Sequence, residues 1–203
     1  MATERAGVFE RPVINVEGQL VALGPYRRDH IPIYQAWIND FGSTRTLKLP
    51  PGPMTVEQET AWYDTMSSSS TSAPFVIYER TTWRPVGGTN LHEIDYRHRT
   101  ASFGIMVGAA DCRGKGYGTE ATQLMLDYAF TALGLRSVML TVYAFNLAGQ
   151  RAYAKAGFKE IGRRRECRWM GARFWDEIYM DCLAEEFVSP VLGRVFVPDE
   201  PRS

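Results

Sequence analysis

The sequence predicts one α/β domain organised around a single mixed sheet of seven strands. Three observations carry this. Read by hydrophobic periodicity and turn residues, the elements run roughly β-α-α-β-β-β-α-β-α-β-β. Strands that are partly consecutive and partly separated by helices argue a mixed sheet in one layer rather than a doubly wound parallel one. The chain has 203 residues, 45% of them hydrophobic and 23% charged, which is enough for a single large domain with a proper core. The third observation is a glycine-rich segment, Asp111–Ala121, placed between the strand reading Phe103–Val107 and a strongly patterned helix.

In chain order, residues 1–17 read as a loose arm, and Gln19–Leu23 as a short strand stopped by Gly24-Pro25. Tyr26–Asn39 reads as a helix, with Asp29 as N-cap, Pro32 in the first turn, and Ile33, Trp37 and Ile38 as the apolar stripe. Asp40–Pro53 is a loop. Thr55–Met66 is a second helix, in which Thr55 and Gln58 have capping-box spacing. The polar run Ser67–Ser72 is a loop within the domain. Pro74–Tyr78 and Pro85–Ile94 are strands joined by Arg80–Arg84, and Gly87-Gly88 suggests a bulge or a close backbone approach. Asp95–Arg99 is a charged turn leading into the fourth strand, Thr100–Val107.

Tyr117–Leu133 is the strongest helical pattern, ended by Gly134. Ser137–Tyr143 is the fifth strand. Asn146–Ala156 is a short helix closed by Gly157. Phe158–Met170 and Arg173–Leu183 are a final strand pair turned at Gly171-Ala172. The domain is expected to span residues 1–184. A tail, 185–203, is then packed on the domain, packed on a partner, or disordered.

Composition excludes several classes. With 23 basic and 23 acidic residues the formal charge is zero, so no broad nucleic-acid or membrane surface is expected. The cysteines, Cys112, Cys167 and Cys182, form neither a disulfide framework nor a zinc motif. His30, His92 and His98 lack metal-ligand spacing, so no metal is expected. The beginning of the chain has no apolar leader pattern, and a reducing cytoplasm is the expected compartment.

The segment Asp-Cys-Arg-Gly-Lys-Gly-Tyr-Gly-Thr-Glu-Ala alternates three glycines, Gly114, Gly116 and Gly118, with Arg113 and Lys115 among them. Glycine lets backbone N–H groups turn toward an anion, and a helix start behind adds unpaired N–H groups and the positive dipole end. Strand, glycine loop and helix therefore make a phosphate cradle. A Walker A loop is excluded, because Gly116 follows Lys115 where a hydroxyl is required. Gly116, Gly118 and Ala121 match the dinucleotide fingerprint. The strand Val138–Tyr143, however, ends without the carboxylate that would hold a ribose.

The third option is a pyrophosphate loop of the form Arg/Gln-x-x-Gly-x-Gly/Ala, met by Arg113, Gly116 and Gly118. A second block agrees: Asn146, Tyr153, Gly157 and Phe158 stand at the spacing found after the next strand in the same family. Chance agreement at all four is on the order of 10⁻³ per chain. On these residues the chain resembles the GNAT superfamily of N-acetyltransferases over roughly Pro74–Leu183. Its loop wording is most similar to the ribosomal-protein N-acetyltransferase (RimJ/RimL-type) branch.

The resemblance implies a mostly antiparallel sheet with helices on both faces, splayed between the fourth and fifth strands. It implies acetyl-CoA as co-substrate and direct acetyl transfer to a primary amine. The amides of Arg113, Gly114, Lys115, Gly116, Tyr117, Gly118 and Thr119 would hold the diphosphate, with the Arg113 and Lys115 side chains adding charge. Ile105, Met106 and Val107 would pair with the pantetheine arm, and Asn146 would hydrogen-bond it. A backbone N–H near Met106 or Val107 would meet the developing oxyanion. Tyr153 would protonate the leaving thiolate. Many members carry the base early in the fourth strand, where this chain has Ser102. Glu93 and Asp95, with His92, are therefore the local candidates. The acceptor is expected to be a protein N-terminus or a small amine such as a polyamine or antibiotic. A non-catalytic acetyl-CoA-binding module is the alternative. The apolar tail makes a homodimer plausible.

Overall fold

A computed structural model of the protein describes residues 9–49 and 51–199. The start of the arm (1–8), Pro50 and the end of the tail (200–203) lie outside these residues. The strands are β1 (Val16–Glu17), β2 (Val21–Pro25), β3 (Ala73–Glu79), β4 (Pro85–Asp95), β5 (Thr100–Val107), β6 (Ser137–Tyr143), β7 (Lys159–Met170) and β8 (Arg173–Leu183). They form one sheet in the order β1-β2-β3-β4-β5-β6-β8-β7. Every adjacent pair is antiparallel except β5–β6. The eighth strand is β1, two residues long, which pairs Val16 with Leu23 and is too short to leave a periodic signal.

Alternation along the strands divides the core between two faces. On β3, Phe75 and Ile77 pack with Leu124 and Met125 of the helix α4 (Tyr117–Asp127). Val76 and Tyr78 pack on the other face with Tyr34 of α1 (Ile31–Asn39). Helices therefore cover both faces, as expected. Between α1 and α3 (Val56–Ser67) lies a single helical turn, α2 (Phe41–Thr44). The Thr55–Gln58 capping box opens α3 as expected.

Three local expectations change. Strand β2 runs on through Gly24 and Pro25, which pair with Val76 and Phe75. Asp29 does not cap α1; its carboxylate takes the Arg27 guanidinium at 2.9 and 2.6 Å, and the helix proper begins later, with Pro32 in its first turn. The loop after α1 is not wholly irregular, because Asp40 accepts the N–H of Gly42 and Ser43 and so nucleates α2.

Two features position the site. Strands β5 and β6 pair only at Thr100–Ser102 with Ser137–Met139. Beyond that rung β5 stays with β4 and β6 stays with β8, so a wedge opens between them. The last turn of the helix that follows β5 widens, with Leu133 N–H bonding Tyr128 O at 3.0 Å, and closes at Gly134. Buried Asp127, at the end of α4, accepts the Ser189 hydroxyl and the N–H groups of Val191 and Leu192 at 2.6–2.9 Å. That fastens the first part of the tail to the domain, and Leu192 is buried there.

Candidate active site

The wedge opens into a cleft of about 550 Å³. Ile105, Met106 and Val107 of β5 form one wall. Arg113, Gly114, Gly116, Gly118 and Thr119 form the end at the glycine loop. Tyr153 comes from α5 (Leu147–Ala156), Asn146 from the cap that precedes it, and Ser43, Arg45, Thr46 and Leu47 from the α2 region. The structure thus brings together most of the residues that the sequence singled out.

The glycine loop has the geometry an anion requires. Gly114 and Gly116 sit at φ +75° and +88°, the left-handed region where a side chain is strained. Gly116 is the N-cap of α4 and supplies no side-chain hydrogen bond. The first N–H groups of α4 therefore need a partner from outside the helix, at its positive dipole end. Beneath the loop, the buried Cys112 Sγ lies 2.9 Å from Arg84 Nη2, and burial pushes its thiol up, so it is not an activated nucleophile.

Arg113, Lys115 and Tyr117 differ from the sequence-based picture in their side chains. The Arg113 guanidinium bonds the Ser43 hydroxyl, reaches the Val107 carbonyl at 3.4 Å and stands 3.6 Å from Asp40. It ties the loop to α2. Lys115 does not line the cleft; its charge bears on Glu79 and Asp111. The Tyr117 hydroxyl donates to Glu79 at 2.6 Å, which pushes its pKa up to about 12. What Lys115 and Tyr117 bring to the loop is backbone.

Asn146 caps α5, with Oδ1 accepting the Gly149 N–H at 3.0 Å while the residue lines the cleft. Its amide nitrogen is left to donate. Tyr153 is packed edge-on against Phe103 (6.2 Å, 87°) and near Phe158, and burial pushes its phenol up to about 12.

Glu93, Asp95 and His92 are all outside the residues that line the cleft. The register shifts between His92 and Asp95, and Glu93 sits at φ +53°. This bulge turns the Glu93 carboxylate outward, where it accepts the Ser102 hydroxyl at 2.8 Å. Asp95 accepts the His98 N–H at 2.8 Å and closes the turn. His92, half-buried, shares a sheet face with Ser102 and Gly104. Its Nε2 leans to 3.9 Å from where a Cβ on Gly104 would stand. Burial holds the imidazole below its ordinary pKa, against the nearby Glu93 charge, with Lys48 lowering it further.

Ser43, Arg45 and Leu47 lie in the segment Asp40–Pro53, which the sequence offers as one of the acceptor-reading parts without singling out these residues. The spacing of Asp40 and Ser43, an N-cap signature, was the available signal. Among the described residues no three His, Cys, Asp or Glu side chains gather as a metal site, and no helix is long and apolar enough to cross a membrane.

Residues 21–159 match the acetyltransferase (GNAT) domain. The human alpha/beta-tubulin-N-acetyltransferase 9 is 29% identical over 156 residues, 71% of this chain and 74% of that protein. The spermidine N(1)-acetyltransferase of Vibrio cholerae is 33% identical over 104 residues, 51% of this chain and 60% of that protein. Among solved structures, the spermidine N-acetyltransferase from Vibrio cholerae in complex with CoA and spermine superposes with a TM-score of 0.75. It is 24% identical and covers 82% of this chain and 97% of that one.

Proposed function

The chain belongs to the GNAT acetyltransferase family, and on that premise we propose how its residues carry an acetyl group from acetyl-CoA to a primary amine. The reaction is direct acyl transfer: nitrogen attacks the thioester carbonyl, a C–N bond forms, and the C–S bond breaks. One proton leaves nitrogen and one ends on sulfur.

The observation that carries the reading is the uncapped N-terminus of α4, with Gly114 and Gly116 at positive φ, facing the same cleft as Tyr153. The loop amides from Arg113 to Thr119 hold the diphosphate of acetyl-CoA. Past Ser102 the edge of β5 has lost its β6 partner. Alternate backbone groups along Phe103–Val107 therefore point into the wedge and pair with the pantetheine arm. Asn146 adds its side-chain N–H. A backbone N–H at Met106 or Val107 faces the oxygen that turns negative in the transition state.

Tyr153 meets the leaving sulfur. A thiol has a pKa near 8.5, while the phenol stands at about 12. The buried phenol thus keeps its proton in the resting site. Tyr153 therefore stabilises the sulfur's growing charge mainly by donating a hydrogen bond. With Glu93 and Asp95 bound into the turn, His92 is the base we favour. It is held neutral by burial, and it shares its sheet face with Gly104 and Met106.

For the acceptor, the loop wording of the ribosomal-protein branch supports a protein N-terminus, and the tubulin-directed human relative supports a protein amine. The spermidine-directed relative supports a small polyamine. Exposed Val195, Phe196 and Val197 in the tail suit a homodimer contact, which light scattering would test. Calorimetry with acetyl-CoA, NAD and ATP, followed by thiol release across an amine panel, tests the main reading. Acetyl-CoA binding with no thiol release from any amine would leave a binding module.

A further inference from the structure

Glu177 of β8 is a carboxylate buried to 4% exposure outside the cleft residues described above. A buried charge needs a partner. Lys48 supplies it, with Nζ 2.7 Å from Oε1, and the Lys48 side chain is 58% exposed against 5% for Glu177. Solvent therefore meets the pair from the lysine side. Burial alone would push Glu177 up, but Lys48, Thr141 and Tyr179 more than offset it and hold the carboxyl below its usual range.

The pair adjoins the cleft. Lys48 directly follows Leu47, which lines it. Past Met139 β6 forms the other wall of the wedge, and at its end Tyr143 pairs with Glu177. The Lys48 charge also bears on His92. A second internal cation stacks on the same wall, with the Arg168 guanidinium 5.0 Å from the Tyr143 ring.

We propose that Glu177 is the subsite for a second, non-reacting cation of the acceptor, and that Lys48 occupies it as a built-in competitor until the acceptor arrives. This rests on the amine-acceptor reading above. An ammonium seated on a buried carboxylate is held protonated, and a protonated nitrogen has no lone pair for the carbonyl. The nitrogen at Glu177 is therefore not the one acetylated. The acceptor class that fits is a linear diamine or polyamine, with its reacting end toward His92. A competitor that fills the site most of the time raises the apparent Kd by the inverse of the free fraction.

The test is calorimetry with saturating CoA, comparing 1,4-diaminobutane with butylamine. Lys48→Ala should tighten the diamine about tenfold and move butylamine less than about twofold. Lys48→Arg should behave as wild type. Glu177→Gln should bring the diamine down to the butylamine level. The double variant Lys48→Ala/Glu177→Gln, which removes both charges and so avoids an orphaned one, should do the same. Unchanged or weaker diamine binding in Lys48→Ala overturns the proposal, as does a diamine preference kept in the double variant. Thiol release is followed separately. Its loss with every amine would overturn the transfer reading, while the binding comparison still decides the subsite.

Discussion

The Glu120 carboxylate, in the first turn of α4, accepts the backbone N–H of Leu20 at 2.7 Å across 100 residues of sequence. It also takes Gln19 N–H at 2.8 Å and Val21 N–H at 2.7 Å. An acid at a helix start commonly serves that helix's own N–H groups. Here it serves the β1–β2 turn instead, which leaves the amides of residues 117–119 for a ligand. The turn in turn backs the glycine loop, because Leu20 Cδ1 lies 3.3 Å from where a Cβ on Gly116 would stand.

Glu120→Ala should therefore act on both stability and binding. It removes the acceptor of three backbone N–H groups, of which only that of Val21 belongs to a buried residue, at a cost of about 1–2 kcal/mol. Urea unfolding should show a lower midpoint with unchanged slope. Acetyl-CoA affinity should fall as well, since the support of Gly116 loosens. Glu120→Gln, which keeps one acceptor oxygen, should fall between.

Gly114→Ala and Gly116→Ala separate strain from contact. Both sit at positive φ, where a Cβ costs about 1–2 kcal/mol. A Cβ on Gly114 meets open space, while one on Gly116 presses on Leu20. Calorimetry should show both variants weakening acetyl-CoA, Gly116→Ala more strongly, with kcat at saturating co-substrate reduced less than affinity. Equal losses would mean that Leu20 yields freely.

Tyr153→Phe keeps the ring, and with it the edge-on contact to Phe103. Stability should hold within about 0.5 kcal/mol, and acetyl-CoA affinity should hold too. Turnover should fall about 10²-fold, the scale of one hydrogen-bond donor lost from the charge that develops in the transition state. Unchanged turnover would remove Tyr153 from the chemistry.

Asn146→Ala removes two functions at once. The α5 cap bond to Gly149 is lost, at about 1 kcal/mol. Asn146→Ser restores a capping oxygen without the amide donor. If the amide nitrogen holds the cofactor arm, Ser should rescue the melting temperature but not the KM for acetyl-CoA. Rescue of both would confine Asn146 to capping.

The elements that frame the site were legible because their signals are local. Strands β5 and β6 begin and end where the periodicity does. Asn146 and Gly157 bracket α5 as cap residues should, and the glycine loop announces itself by composition. What escaped was long-range or depended on side-chain direction. Arg113 was assigned to a ligand, but α2, itself unread, supplies Ser43 and Asp40 to engage it. Glu177 looks like one charge among several in the strand reading Asp-Glu-Ile-Tyr. Its burial arises only when β8 pairs with β6 and the Lys48 loop closes over that face. The base was sought at Glu93, but a bulge at positive φ breaks the strand's period of two there and turns its carboxylate to Ser102.

That bulge makes the pH profile the decisive measurement for the base. His92 serves as base only when neutral, and burial holds its pKa below 6.5. Its contribution to kcat/KM is therefore complete at neutral pH and is lost as pH falls through that depressed value. A lysine-like acceptor amine, with a pKa near 10, adds its own rise across the whole range. The log of kcat/KM should thus climb with a slope of about one above the His92 pKa and about two below it. His92→Gln should lower the neutral-pH value about 10²-fold and leave a slope of about one throughout. Glu93 stands 3.7 Å from His92 Nδ1, and its charge raises the imidazole's pKa. Glu93→Gln should therefore keep the two-slope profile and move its break to lower pH. Asp95→Ala, which opens the turn held through His98 N–H, should leave the break in place. A break that survives in His92→Gln but vanishes in Glu93→Gln would return the role of base to Glu93.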